Sequence, residues 1–250
     1  MSHTATTTIT RYFNKSRGKA LSTGWFGLST AEFILPVLMI YLLSITEWEN
    51  IWIGISILVI VFLPLISYFL VKNLNFDSRE IIKNKNFKEE NIKQWKRIEV
   101  IKDFRFYIVC ANMLAMPWIA TGIFVYQSFI LYSKNWGPYV IAQSFMTYSI
   151  MSVITLFISG FLIDKFTSRK LLIYMNIPLL FSIFVIFYFN NPISSFFLLG
   201  LIGISNGLAN VLGSSTWAEI YGVKYIGSIK ALTTALMVFS TAFGTALFGI

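Results

Sequence analysis

Seven apolar stretches alternate with short polar connections along this 250-residue chain, at residues 20–44, 51–71, 106–132, 139–163, 171–189, 195–217 and 231–250. Each is about the 20 residues that a helix needs to cross roughly 30 Å of hydrocarbon. An open backbone finds no hydrogen-bond partner in lipid, and the runs are too long for barrel strands, so each is predicted to be a helix. The connections alternate in charge. Arg11, Lys15, Arg17 and Lys19 precede the first stretch, whereas the turn after it, Thr46-Glu47-Trp48-Glu49-Asn50, has acid and no base. Residues 72–105 hold ten bases, and Lys165, Arg169 and Lys170 follow the fourth stretch. Lys224 and Lys230 precede the seventh, while Asn190-Asn191-Pro192 is uncharged. Threading the stretches as alternating spans puts nineteen of the twenty Lys and Arg residues on one side, with Lys134 alone on the other. By the positive-inside rule that side, and the N-terminus with it, is expected to be cytoplasmic.

Composition agrees with lipid as the surrounding medium. Hydrophobic residues make up 56% and charged residues 12% of the chain, with a mean hydropathy of +0.69, where a soluble domain carries about a quarter charged residues. The net charge of +9 sits at loop ends beside apolar runs, which suits anionic lipid and topology setting, not nucleic acid. One cysteine, Cys110, excludes a disulfide framework, and with His3 as the single histidine no usual zinc site can be built. No cofactor is expected. The polar, Thr-rich start does not read as a cleavable signal peptide. The expected class is an all-α, multi-pass integral membrane protein, a helical bundle of seven transmembrane helices in the plasma (cell inner) membrane. Residues 72–105 are expected to form a solvated linker, partly helical along the surface.

Two patterns carry more specific information. Arg17-Gly18-Lys19-Ala20-Leu21-Ser22 opens the first helix and Gly227-Ser228-Ile229-Lys230-Ala231-Leu232-Thr233 the seventh. This echo suggests a six-helix repeat, a plan used by transporters. Between the fourth and fifth helices lies Gly160-Phe-Leu-Ile-Asp164-Lys165-Phe166-Thr167-Ser168-Arg169-Lys170. Gly160 permits close packing, and Asp164 offers a carboxylate to the amide-rich start of another helix. The expected partner is the start of the first helix near Gly18 to Leu21. Arg169 and Lys170 are expected to hold the next helix start at the lipid headgroups.

That turn resembles the signature cytoplasmic loop of the major facilitator superfamily, Gly-x-x-x-Asp-[Arg/Lys]-x-Gly-[Arg/Lys]-[Arg/Lys]. Here Thr167 replaces the second Gly, and Ser168 is inserted or substituted before the paired bases, as in the second-half copy between that family's eighth and ninth helices. The resemblance extends to Ser2-His3-Thr4-Ala5, Arg11-Tyr12-Phe13 and Arg17-Gly18-Lys19-Ala20-Leu21 (loop four to five), to the long basic segment (six to seven) and to Trp217-Ala218-Glu219-Ile220-Tyr221-Gly222 (ten to eleven). It implies a fragment spanning helices five to eleven of a twelve-helix fold. Residues 1–19 would be a loop from a missing preceding helix, 20–71 two helices ending the N-terminal half, 72–105 the central cytoplasmic loop, and 106–250 five helices of a truncated C-terminal half. It also makes Gly160, Asp164, Lys165, Arg169 and Lys170 a cytoplasmic conformational motif.

Polar side chains within spans are expensive and face the bundle interior by default. Glu32, one turn before Pro36, is the candidate to carry a coupling proton or meet a cationic group. Tyr126, Gln127, Gln143 and the pair Asn206 and Asn210, one turn apart on one face, are candidates for substrate contact. Gly200, Gly203, Gly207 and Gly213 are expected to let helices approach closely. The resulting function is secondary transport of a small solute by alternating access, with lipid and solute as the partners. Drug efflux is disfavoured because the glycine-proline signature of drug/proton antiporters is missing from the first helix. An organic anion or related metabolite is preferred on resemblance alone. The alternatives are a seven-helix receptor, which requires the opposite orientation, and a non-transporting membrane scaffold. An intramembrane enzyme lacks any Ser/His or paired-Asp arrangement in the spans.

Overall fold

The computed structural model describes residues 2–13, 16–72, 93–137 and 139–249, so most of the expected linker lies outside the described residues. The described residues form helices α1 (Ser2–Tyr12), α2 (Arg17–Ile45), α3 (Trp48–Lys72), α4 (Arg97–Lys102), α5 (Phe104–Val125), α6 (Gln127–Lys134), α7 (Val140–Lys165), α8 (Ser168–Leu172), α9 (Ile177–Tyr188), α10 (Ile193–Tyr221) and α11 (Ile226–Phe248). They fall into two compact units, residues 1–34 with 93–250 and residues 35–92. Among the described residues six stretches are long and apolar enough to cross a membrane: Trp48–Ile66, Phe104–Val125, Val140–Lys165, Ser168–Tyr188, Ile193–Tyr221 and Ile226–Phe248. The first expected span lies in α2, a helix of 29 residues. The count of seven spans is approximate, and the all-helical membrane class holds.

Lipid explains the surface of the larger unit. Phe181, Phe184 and Phe187 of α9 and Val238, Phe239 and Phe243 of α11 are exposed, making apolar faces that water would not tolerate over this extent. The interior is held by small residues and hydroxyls. The most extensive packing is between α7 and α10, where Ser144 and Ser195 hydroxyls lie 2.6 Å apart and Ser159 Oγ donates to the Gly207 carbonyl at 3.4 Å. A methyl group on Gly207 would sit 2.6 Å from the Ser152 carbonyl oxygen, and one on Gly203 would collide with the Tyr148 carbonyl. In lipid, where apolar contact gives no preference for helix over solvent, this backbone proximity supplies the packing that drives association. Helix α5 packs against α11, and α9 against α10.

Two expected spans are interrupted. The third ends as α5 at Val125 and resumes as α6, with Tyr126 between them. The fifth breaks over residues 173–176, between α8 and α9. Pro178 stands at the start of α9. Its ring would clash with the Tyr174 carbonyl and its nitrogen cannot donate, so a continuous helix is disfavoured there. The freed Met175 carbonyl accepts from buried Ser205 of α10 at 3.0 Å.

Hydrogen bonds also sort the connections to the two ends of the larger unit. At one end Lys134 Nζ donates to Asn190 Oδ1 at 2.6 Å and Trp136 Nε1 donates to the Asn190 carbonyl at 2.6 Å. At the other, Trp95 N donates to the Tyr221 carbonyl at 3.1 Å, Lys224 N to Gln94 Oε1 at 3.0 Å, and Tyr221 Oη to Asp103 at 3.1 Å. Glu99 accepts from Lys96 N and pairs with Lys93 at 3.3 Å. The backbone bond first, and then the ammonium, hold its carboxyl below the usual carboxylate range. Its contribution to α4 is therefore present above that range and fades as acid protonates it. Because Trp136 is buried, Trp136→Phe is expected to cost about 1 kcal/mol, read as a lower midpoint of thermal unfolding in detergent. Lys134→Met, at a half-buried site, should cost less.

Candidate functional site

At the end of the larger unit that carries the basic connections, Asp164 of α7 receives the start of α2. Its Oδ1 accepts from Gly18 N at 2.8 Å and its Oδ2 from Lys19 N at 3.2 Å. A carboxylate here meets two of the amides that a helix start leaves unsatisfied, with the helix dipole adding attraction. The approach needs glycine on both sides. A methyl on Gly18 would run into the Gly160 carbonyl, and one on Gly160 would lie 2.7 Å from Ser22 Oγ. Gly227, the echo of Gly18, has only ordinary contacts with Arg11 and Thr7. The Lys19 ammonium lies over the Phe161 ring, 4.9 Å from its centre.

The rest of the turn is tied to α10. Ser168 N, at the start of α8, donates to Glu219 Oε1 at 3.0 Å. Arg169 donates to the Glu219 carbonyl near the C-terminus of α10, a helix end that favours a cation. Arg169 thus reaches a neighbouring helix although, like Lys165 and Lys170, it is exposed. Glu219 was not singled out as a site residue, although it stands in the Trp217–Gly222 stretch that carries part of the family resemblance.

A cavity of about 260 Å³ lies where α1, α2, α5, α10 and α11 meet, with Met175 at the α8–α9 break. Trp25, Cys110, Asn206, Asn210, Trp217 and Lys230 are on its wall. Asn206 Nδ2 also donates to Ser152 Oγ at 3.0 Å, so the predicted asparagine pair meets both α7 and open space. Gly213 lines the cavity and has nothing within 4 Å of an added methyl, unlike Gly200, Gly203 and Gly207, which face α7. The break at Met175 and the proline of α5, Pro117, both border the cavity, placing irregular backbone where it faces space inside protein.

The remaining candidates lie elsewhere. Glu32 is half-buried; its carbonyl accepts from buried Ser149 of α7 at 3.0 Å. One of its carboxylate oxygens is buried with no hydrogen-bond partner among the described residues. Tyr126 Oη donates to the Thr245 carbonyl at 2.9 Å, joining α5 to α11. Gln127 starts α6, and Gln143 is exposed on α7. Neither borders this cavity. Lys230 was counted among the loop bases. Instead it lies inside α11, 6% exposed.

The family model described as Major Facilitator Superfamily matches residues 1–245. The chain belongs to the major facilitator superfamily. Searches of curated proteins and of solved structures each gave no match. Membership makes this a multi-pass membrane protein of a transporter superfamily, and it gives the cavity and the Asp164 contact a common context: one holds space between helices, the other ties one of those helices, α2, to α7.

Proposed function

We propose that this superfamily member is a secondary active transporter that moves a small solute by alternating access, with its basic end and N-terminus in the cytoplasm. The observation that carries the proposal is the cavity between α2, α5, α10 and α11; one of its helices, α2, is held at its start by Asp164. A cavity bordered by amides and irregular backbone inside lipid-facing helices suits a solute path. A backbone-to-carboxylate contact suits a latch, because its parts can separate without breaking a helix. Glu32 is the candidate for a coupling proton, supported by a buried carboxylate oxygen that has no hydrogen-bond partner among the described residues.

The orientation has a direct test. Alkaline phosphatase fused after Trp48 or Asn191 should be active, and after Lys88 inactive, with a cytoplasmic fluorescent reporter giving the opposite pattern. The reverse result at these three sites contradicts the proposed orientation and favours the receptor topology.

A further inference from the structure

Deepening the transporter reading, on which it rests, we infer that Lys230 is the anion-recognition group of the cavity and that the solute is a small monocarboxylate with an apolar body. Lys230 is 6% exposed and lies in α11, on the cavity wall. Its ammonium donates to Thr6 Oγ1 of α1 at 2.5 Å and to Ser214 Oγ of α10 at 2.9 Å. Both partners are neutral. An ammonium has three donors, and these bonds engage two. Among the described residues no Asp or Glu borders the cavity, and the Lys93–Glu99 ion pair lies outside it. A charge taken out of water without a counter-charge is costly to keep. A carboxylate arriving in the cavity would supply both the missing charge and the third acceptor, as a charge-assisted hydrogen bond.

The rest of the wall sets the class of anion. One cation calls for one negative charge. Met113, Met116, Met175 and Met237 present flexible apolar surface, which adapts to a hydrocarbon body and is poorly suited to the polar oxygens of a phosphate. Asn206 and Asn210 can meet a further carbonyl or hydroxyl on the solute. A cationic solute would face Lys230 with like charge, and a neutral one would leave its charge uncompensated.

The test uses the full chain, purified into phosphatidylcholine nanodiscs and titrated with isovalerate or with its neutral isostere isovaleramide. Trp25 and Trp217 border the cavity and report occupancy through fluorescence. Isovalerate is expected to give a saturable change, and Lys230→Met to weaken it by about tenfold or more, with Lys230→Arg retaining most of it. Removing a buried charge in favour of a side chain of similar length favours folding, and the acid-against-amide comparison on the unsubstituted chain decides the question independently of any variant. Three outcomes overturn the inference: equal affinity for acid and amide, unchanged isovalerate binding by Lys230→Met, or displacement of isovalerate by equimolar chloride. Each leaves alternating access standing, because that reading is tested by sidedness of labelling and not by ligand charge.

Discussion

Asp164→Asn is expected to speed alkylation of Cys110 from the basic face by about tenfold. The carboxylate accepts from two backbone amides at the start of α2. Hydrogen bonds to a charged group contribute about 1.5–3 kcal/mol, and the attraction to a helix start about 0.3–1 kcal/mol more. Asparagine keeps one acceptor oxygen and loses the charge, so a loss of about 1.5 kcal/mol is reasonable, which is about tenfold in a two-state equilibrium. Cys110 is the chain's single cysteine. It is buried, and it shares the cavity with Trp25 of α2. Releasing the start of α2 therefore exposes a reporter that needs no engineering. Asp164→Ala should have the larger effect. A membrane-impermeant maleimide applied separately to each face of sealed vesicles measures it, and an unchanged rate from both faces would remove the latch from the mechanism.

Gly203→Leu is expected to prevent a stable fold. Its side chain would enter the Tyr148 carbonyl of α7, at the most extensive helix pairing in the larger unit. Overpacking a tight interface costs about 1–3 kcal/mol, and more where backbone must separate. Parting α7 and α10 would also strain the Ser144–Ser195 and Asn206–Ser152 bonds. About 3 kcal/mol or more is thus expected, a large share of a typical total stability of about 5–15 kcal/mol. Gly213→Ala on the same helix, with nothing within 4 Å, serves as the control and should leave the unfolding midpoint nearly unchanged. Size-exclusion profiles and thermal unfolding in detergent compare the two. A folded, monodisperse Gly203→Leu protein would show that α7 and α10 are not packed backbone to backbone.

The helices were legible in the amino-acid pattern because lipid admits few alternatives: an apolar run of span length has to be helical. The Asp164 contact was legible too, since a carboxylate four residues after Gly160 and a glycine-bearing helix start are complementary features. Facing was not. Helices that are apolar on every side give no periodic signal for which side meets protein. Hence Gln143, a polar residue in a span, lies exposed on α7, and Gly213 borders open space while Gly203 and Gly207 meet α7. Lys230 was misplaced for a related reason. Counting bases near span ends sets orientation but does not show whether a side chain reaches toward headgroups or inward, and four residues inside α11 either direction is open to a long flexible amine. The break before α9 was not expected; Pro178 carries it, because its ring would clash with the Tyr174 carbonyl one turn behind.

Alternating access requires the cavity to open to each face in turn. The most direct measurement places a reporter cysteine at Asn210, on the cavity wall, in a chain with Cys110→Ser, and follows alkylation from each face of sealed vesicles, with and without Asp164→Asn. The account predicts that the reporter is reached from both faces, and that Asp164→Asn raises labelling from the basic face while lowering it from the other. A reporter reached from neither face, or from one face only in both backgrounds, would contradict it.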